Sequence, residues 1–250
     1  MQKRIITPSA GRLTVARQTN LGVAVHDVDD LYSPDSDVWR SKVLDPVMPK
    51  YAPSKSYWFD GSRFSNPGTI TGAVWVQLPS SIWVLSFDGA DDQVNFGNKA
   101  AFNFTTTITI RVWVRPSTLT TLNATAIFVS KVDNYYFGFQ KTTGMLRGRV
   151  YAGVEKTAAS GALAAGKFAH CCLTYDGSAL TFYKDAVAIF SAAQAGVIAT
   201  GVNSLYAGTD ATGAGGFFFP GLMGKPLICS RAFTAAEVVR DRELTKWRYQ

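Results

Sequence analysis

Short segments in which apolar and polar residues alternate follow one another along most of the chain. The clearest spans residues 108–114, where four aliphatic side chains alternate with Thr109, Arg111 and Trp113. A strict period of two is typical of a strand with one face on a core and the other in water. The segment therefore predicts a half-buried strand.

Further segments have the same character, and Gly, Asn and Asp residues separate them. A turn is indicated around Gly144, at Asp176-Gly177 and at Lys184-Asp185. Many short strands between turn signals are typical of an antiparallel sandwich or barrel. The predicted strands span residues 135–140, 146–151, 168–175, 180–183, 187–190, 205–208 and 227–230.

One helix is predicted, and it follows Thr234 near the end of the printed sequence. Residues 234–237 read Thr-Ala-Ala-Glu, which is a capping box: the threonine hydroxyl accepts from the backbone N–H of Glu237, whose side chain reaches back. Apolar residues then recur at helical spacing. Basic residues toward the end suit the negative C-terminal end of the helix dipole.

The remaining segments divide the chain into an arm and one domain. Residues 13–16 and 21–25 are predicted edge strands or parts of an extended arm, and residues 46–68, rich in Pro, Ser and aromatic residues, predict a long ordered loop. We assign residues 1–29 to an N-terminal arm or edge strands and residues 30–250 to a single domain. All-β domains often reach this length as one unit.

Composition and charge narrow the classes of function. The chain is 47% hydrophobic, enough for a sizeable core, and its formal charge is +7. No apolar run approaches the ~20 residues that span a bilayer. The basic N-terminus lacks the apolar core of a secretory signal, so we expect a protein kept in the cytoplasm or released by another route, such as lysis. No basic-aromatic motif indicates specific nucleic-acid binding.

The residue types that commonly carry catalysis, namely cysteine, histidine and paired carboxylates, do not form a recognisable catalytic arrangement in this sequence. Cys171, Cys172 and Cys229 have no metal-ligand spacing and are interpreted as reduced, buried side chains. His26 and His170 leave little scope for histidine chemistry. No predicted strand carries two carboxylates at alternate positions, as retaining glycosidases on sandwich folds require. The sequence predicts a protein that is not an enzyme.

Several motifs resemble those of the concanavalin A-like, laminin-G-like jelly-roll modules. LSFDGADDQVNFG at residues 85–97 resembles their opening FDG-x-DD-x-V strand, and the segments ITIRVWVRP, KFAHCCLTYDG and GLMGKPLICSRAFT follow in the family's order. DLYSPD at residues 30–35 resembles the first segment of the family. The resemblance covers about residues 30–245 and implies an all-β, two-sheet antiparallel jelly-roll sandwich with one C-terminal helix.

The same resemblance raises the question of calcium. Where such folds bind calcium, several carboxylate or carbonyl oxygens converge. The alternative is that Asp88 and Asp91 accept backbone N–H groups in a tight turn. Gly224 and Lys225 replace an Asp-Glu pair of the family, and Asp185-Ala186 replaces its Asn-Gly turn. The candidate calcium ligands are Asp88, Asp91, Asp92, Asn95 and Asp210.

Exposed aromatic rings are the usual means by which such modules hold sugars. Tyr57, Trp58, Tyr135 and Tyr136 are the candidate ligand-binding residues, with core packing as the alternative for each. Extended backbone would turn part of the triplet Phe217, Phe218 and Phe219 outward, toward a neighbouring subunit. Arg4, Arg12 and Arg17 of the arm are the other candidate assembly residues.

Two hypotheses for function follow. In the first, the protein is a non-catalytic structural or adhesion component of a virion, such as a phage tail, fibre or capsid-surface protein. It assembles as a homo-oligomer with other structural subunits and can also bind surface glycans. In the second, it is a free lectin-like carbohydrate-binding module at a cell surface, with or without calcium. The sequence does not identify the glycan, the host or the oligomeric number.

Overall fold

A computed structural model describes residues 36–49, 53, 55–119, 124–210 and 217–250, and the backbone of two further strands. Two compact units are present, Met1–Arg40 and Ser41–Gln250. In the first unit, β1 (Ile5–Ser9) and β2 (Arg12–Ala16) form an antiparallel hairpin. The second of these confirms the strand predicted at residues 13–16. The strand predicted at residues 21–25 and the boundary after residue 29 lie outside the described residues and stay predictions.

The second unit is built of strands with one long helix near its end. The short helix α1 (Asp37–Ser41) ends where this unit begins, and α2 (Ala235–Thr245) is followed by a 3₁₀ turn (Lys246–Arg248). Its strands are β3 (Lys42–Leu44), β4 (Tyr57–Trp58), β5 (Gly68–Thr71), β6 (Val74–Gln77), β7 (Trp83–Asp88), β8 (Gln93–Gly97), β9 (Ile108–Pro116), β10 (Thr125–Lys131), β11 (Tyr135–Gln140), β12 (Leu146–Val150), β13 (Lys156–Thr157), β14 (Ala169–Tyr175), β15 (Ala179–Lys184), β16 (Val187–Ala193), β17 (Leu205–Ala207), β18 (Pro220–Met223) and β19 (Leu227–Cys229).

These strands form two antiparallel sheets. The eight-stranded sheet has the order β13-β12-β11-β10-β17-β8-β5-β4. The nine-stranded sheet has the order β16-β15-β14-β9-β18-β7-β6, and β19 pairs with both β9 and β3. Strands that are distant in sequence lie side by side, as in a jelly roll. The predicted two-sheet sandwich with a C-terminal helix is confirmed.

The core fills the space between the two sheets and is rich in aromatic rings. Phe128 of β10 lies 5.5 Å from Phe137 and 5.6 Å from Phe219, and Phe219 lies 6.0 Å from Phe87 of the other sheet (centroid distances). Edge-to-face contacts of this kind add to the hydrophobic gain from burial. Phe219 is fully buried, so the prediction that it meets a neighbouring subunit is wrong.

The nine-stranded sheet is covered on its outer face as well. The prediction that β9 is half-buried is wrong, because both of its faces are buried along nearly its whole length. Trp113 stacks on Tyr249 with ring centroids 4.8 Å apart and donates from Nε1 to Thr245 Oγ1 at 2.9 Å. The α2 helix and the residues after it therefore cover the face that was expected to meet water.

Of three local predictions, the structure confirms two and contradicts one. The capping box at Thr234 is present in full, with both reciprocal hydrogen bonds. All three cysteines are unpaired and buried, as predicted, and burial raises the pKa of the Cys229 thiol to about 12. Residues 46–68 are not one long loop, because they contain β4 and the first residue of β5, which pair with each other.

Candidate functional site

The outer face of the eight-stranded sheet carries a continuous row of polar and aromatic side chains. The row takes one residue from each of seven neighbouring strands, and each of these residues is paired in register with the row residue on the next strand. Six spacings of about 4.8 Å give the row a length of about 29 Å. The open-face row consists of Tyr57, Thr69, Asn95, Tyr206, Ser130, Tyr136 and Arg149.

Alternation along each strand turns this row away from the core. The residues that flank the row on its strands, such as Trp58, Ile70 and Val94, are buried in the cluster between the sheets. Because successive side chains of a strand point to opposite faces, the row residues point outward. Tyr57 is 48% exposed at one end of the row.

The middle of the row is fixed by hydrogen bonds among its own members. Asn95 donates from Nδ2 to the hydroxyl of Tyr206 at 3.2 Å, and its Oδ1 accepts from the backbone N–H of Gly97 at 2.7 Å. Ser130 lies between Tyr206 and Tyr136 in register and is only 2% exposed. The two half-buried tyrosines on either side thus have defined positions before any ligand arrives.

The other end of the row is basic and aromatic. Glu155 accepts from the Tyr136 hydroxyl and forms an ion pair with Arg147, whose Nε lies 2.9 Å from the carboxylate. The Arg149 guanidinium lies 4.0 Å from the ring centroid of Tyr151, a cation–π distance, and its Nε donates to a backbone carbonyl. These contacts hold long side chains in one geometry and leave cationic groups at the surface.

Two of the four predicted aromatic candidates belong to this row, and two do not. Tyr57 and Tyr136 face outward. Trp58 and Tyr135 were expected as exposed rings, but the structure places both in the core, with Trp58 2% and Tyr135 0% exposed. The pleat gives the reason, since neighbours in one strand face opposite sides. Sequence reasoning missed Tyr206, although its position between the buried Leu205 and Ala207 is the signal of an outward side chain.

The predicted calcium ligands are only partly brought together. One carboxylate oxygen each from Asp88, Asp91 and Asp92 lies within 4.8 Å of the others, a spacing that a calcium ion could bridge with ligands at about 2.4 Å. Asn95, however, points its amide along the open-face row, and Asp210 is outside the group. The five-residue ligand set that was predicted is therefore not assembled.

Within this turn, two carboxylates already accept hydrogen bonds from backbone N–H groups. Asp88 accepts from the N–H of Ala90 at 2.7 Å, and Asp92 accepts from the N–H of Asp88 at 2.7 Å. Burial, together with the charges of Asp88 and Asp91, raises the pKa of Asp92 despite that hydrogen bond. The carboxylate chemistry suits calcium, and the hydrogen bonds match the turn-stabilising alternative, so calcium binding stays a prediction.

An apolar groove of about 540 Å³ lies near the edge of the sandwich, where Gly72 and Ala73 connect β5 to β6. Trp75 and Trp83 line it, with Lys55 as a charged neighbour. Trp75 packs edge-on against the buried Trp58, with centroids 5.5 Å apart. The sequence analysis did not single out these tryptophans. No helix among the described residues is both long and apolar enough to cross a membrane.

The fold and the open sheet face define a jelly-roll module of the lectin and laminin-G kind. Residues 88–239, more than half of the chain, match the family described as the Concanavalin A-like lectin/glucanases superfamily. The chain belongs to this family, which confirms the resemblance. No curated protein matches the chain at the level of sequence.

Solved structures with the same fold have little sequence identity to this chain. The binding domain of Paraclostridial Mosquitocidal Protein 1 is 15% identical with a TM-score of 0.62, over 81% of this chain and 52% of that one. Domain 4 of AbnA, an extracellular arabinanase from Geobacillus stearothermophilus in complex with arabinotriose, is 17% identical with a TM-score of 0.58, over 82% of this chain and 100% of that one. A Trypanosoma rangeli sialidase mutant is 14% identical with a TM-score of 0.61, over 84% of this chain and 34% of that one.

The chain thus spans about half of the mosquitocidal binding domain and the whole of the arabinanase domain. At these identities the likeness establishes the fold and nothing finer.

Proposed function

We propose that the protein is a non-catalytic binding module that holds an oligosaccharide along the open-face row. The observation that carries the proposal is the register itself, which aligns outward tyrosines and hydrogen-bonding groups across seven strands. Tyrosine rings offer apolar surface for sugar faces, and Asn, Thr and Arg side chains offer partners for hydroxyl groups. A linear chain of sugars matches the shape of such a row.

The composition of the sheet supports the absence of catalysis. None of the eight described strands of this sheet contains an aspartate or a glutamate. Glycoside hydrolysis normally needs two carboxylates that flank the scissile bond. Glu155, beside the row, is engaged by Arg147 and Tyr136. The face therefore offers binding groups without an acid–base pair.

Two of the similar structures support binding as the function class. One is named as the binding domain of a toxin, and another was solved with arabinotriose bound. The sialidase shows that enzymes also contain this fold, so the carboxylate argument above is what favours binding for this chain.

The test is an oligosaccharide array probed with the full chain, with and without calcium, followed by calorimetry on the best ligand. We expect Tyr206→Ala and Tyr136→Ala each to weaken binding about tenfold, because each removes a ring contact worth roughly 1.4 kcal/mol. Trp247→Ala is the matched control, since this 57% exposed ring lies on the C-terminal 3₁₀ turn, outside the row.

Either of two results would overturn the proposal. One is that the array shows no oligosaccharide bound. The other is a bound ligand whose affinity is the same for the double variant Tyr136→Ala/Tyr206→Ala and for the unaltered chain. A requirement for calcium, lost in Asp88→Asn, would assign the acidic turn to metal binding.

A role as a structural subunit of a virion is the second candidate that we propose. Phe217 and Phe218 are half-buried, so apolar ring surface remains for a neighbouring subunit. The backbone hairpin of β1 and β2 supports an N-terminal element that could engage other subunits. Arg4 and Arg17 lie outside the described residues, and only the backbone of Arg12 is described. Oligomerisation and a virion location stay proposals.

A further inference from the structure

A rigid loop at residues 60–66 presents a cation and an aromatic ring. The buried carboxylate of Asp60 accepts from the backbone N–H groups of Asp45, Ser62 and Asn66, each at 2.9 Å, and from the Ser62 hydroxyl at 2.6 Å. Several charge-assisted hydrogen bonds to one carboxylate fix the path of the loop strongly. Its tip is thereby held in a single conformation.

The tip of this loop carries Arg63 and Phe64. Both are exposed, and the Arg63 guanidinium lies 4.7 Å from the centre of the Phe64 ring. Ser65 follows with φ of +47°, which a non-glycine residue adopts at a cost of order 1–3 kcal/mol. Within the described part of the chain, no carboxylate forms an ion pair with Arg63. The loop tip thus displays a cation against an aromatic ring, with no counter-ion among the described residues.

Arg63 and Phe64 line a cleft of about 270 Å³ whose other wall is polar. Asn103, Thr105, Thr106 and Thr107 contribute this wall. Thr107 donates to the Ser230 carbonyl at 2.8 Å, whereas the hydroxyls of Thr105 and Thr106 bond no described residue. The segment is anchored because the Thr105 carbonyl accepts from the N–H of Ile198 at 2.8 Å.

Asn103 adds an amide whose acceptor has no partner among the described residues. Its Oδ1 is buried and accepts no hydrogen bond from the described residues. A buried acceptor left unsatisfied costs about 1–3 kcal/mol, and a ligand hydroxyl recovers that cost only when the side chain turns this oxygen into the cleft. Its backbone N–H donates to the carbonyl oxygen of Ala100, the first residue of a short 3₁₀ turn (Ala100–Phe102). This hydrogen bond holds the Asn103 backbone in place.

These groups define the chemistry of a ligand. The Arg63 guanidinium favours an anion, and its planar group pairs well with a carboxylate. The Asn103 amide can donate or accept, Thr105 and Thr106 can also donate or accept, and Phe64 offers apolar surface. The cleft lies just below the usual size range of ligand pockets, which restricts the ligand to about one ring. We propose that this cleft binds a single acidic sugar unit, a ring that carries hydroxyls and one carboxylate.

The site is separate from the open-face row and does not depend on it, since the two share no residue. It adds a second cationic position, at Arg63, to the one that Arg149 provides at the end of the row. The acidic unit can be a free monosaccharide or a substituent of a longer glycan, because both offer the same chemistry.

The test uses the full chain labelled with ¹⁵N and titrated with glucuronic acid, glucose 6-sulfate, glucose and acetate. We expect glucuronic acid to shift the Asn103 side-chain amide and the backbone amides of residues 105–107. Glucose and acetate should bind at least tenfold more weakly, because each lacks one half of the required chemistry. Binding of the sulfated sugar in place of glucuronic acid would overturn the proposal, because the cleft would then select a sulfate and not a carboxylate.

Variants separate this site from the row. Arg63→Gln should weaken glucuronic acid binding at least tenfold, and Arg63→Lys should retain part of it. Arg240→Gln on α2 is the matched control, with the same change in charge outside the cleft. Tyr136→Ala should leave this binding unchanged while it impairs the row. The proposal is overturned if glucuronic acid does not shift residues 103–107, if glucose binds as well, or if Arg63→Gln binds as the unaltered chain does.

Discussion

At the scale of single residues, the turn between β15 and β16 shows how a departure from the family pattern is accommodated. Asp185 and Ala186 both have positive φ, +52° and +67°. These values match the two-residue hairpin turn in which Asn-Gly is preferred, because its twist suits the flanking strands. The chain keeps the turn geometry with an alanine where glycine would be unstrained.

We therefore predict that Ala186→Gly stabilises the protein. A side chain in the left-handed region costs about 1–2 kcal/mol, and glycine removes that cost. The greater conformational freedom of glycine in the unfolded chain offsets part of this stabilisation. The expected net gain is about 0.5–1 kcal/mol, a rise of about 1–4 °C in Tm by calorimetry.

Gly144→Ala is the opposing control for this prediction. Gly144 also has positive φ, and a Cβ there would lie 2.6 Å from the Leu163 carbonyl oxygen. It should lower Tm clearly. If Ala186→Gly lowered Tm too, the conclusion that Ala186 is strained would be wrong.

A second departure, Lys225, is explained by an ion cluster that the sequence does not reveal. Lys225 Nζ lies 2.5 Å from one oxygen of Asp45, and Lys42 Nζ lies 3.0 Å from the other. Burial alone would raise the pKa of Asp45, but the two ammonium groups outweigh it and lower that pKa. A lysine at position 225 thus fits a site where the family has an acidic residue.

At the scale of elements, α2 is fastened to the nine-stranded sheet by a buried ionic contact. Asp241 on the helix lies 2.8 Å from Arg111 Nε and 2.7 Å from His170 Nε2, and all three side chains are essentially inaccessible. Burial, with the charges of Arg111 and Arg242, lowers the pKa of His170 well below its usual value. A neutral imidazole facing a carboxylate donates from Nε2, which fixes the tautomer.

We predict that Asp241→Ala destabilises the protein by about 3–5 kcal/mol, because it leaves the Arg111 charge buried without its partner. Urea unfolding followed by tryptophan fluorescence measures the loss, since Trp113 lies under the same helix. Glu243→Ala, which removes an exposed carboxylate from the same helix, should leave the midpoint unchanged. A loss below about 1 kcal/mol for Asp241→Ala would show that the ionic contact does not hold the helix.

At the scale of the whole molecule, self-association is the property that separates a structural subunit from a free lectin. A structural subunit should form a closed, symmetric oligomer, whereas a free lectin can act as a monomer or dimer. We predict that light scattering gives a defined oligomer for the full chain and a monomer for a chain that starts at Asp30. Phe217→Ser/Phe218→Ser in the full chain tests the ring surface separately. If every form is a monomer, assembly is excluded and the lectin hypothesis remains.

The sequence by itself determined the fold class, most strands and the capped helix. Strand periodicity, turn residues and the capping box at Thr234 each depend on a few neighbouring residues. They can therefore be recognised without the tertiary structure. The same local signals favoured a turn role for Asp88, and the structure shows that role.

Only the tertiary structure decided which side chains form a site. The open-face row joins strands as far apart in sequence as Tyr57 and Tyr206, and the Arg63 cleft joins a loop to residues 103–107. Burial of Tyr135 and of the outer face of β9 likewise depends on what packs against each strand. Non-local pairing and the covering of a face by a distant helix leave no periodic trace in the segment itself, and for that physical reason they could not be read from the sequence.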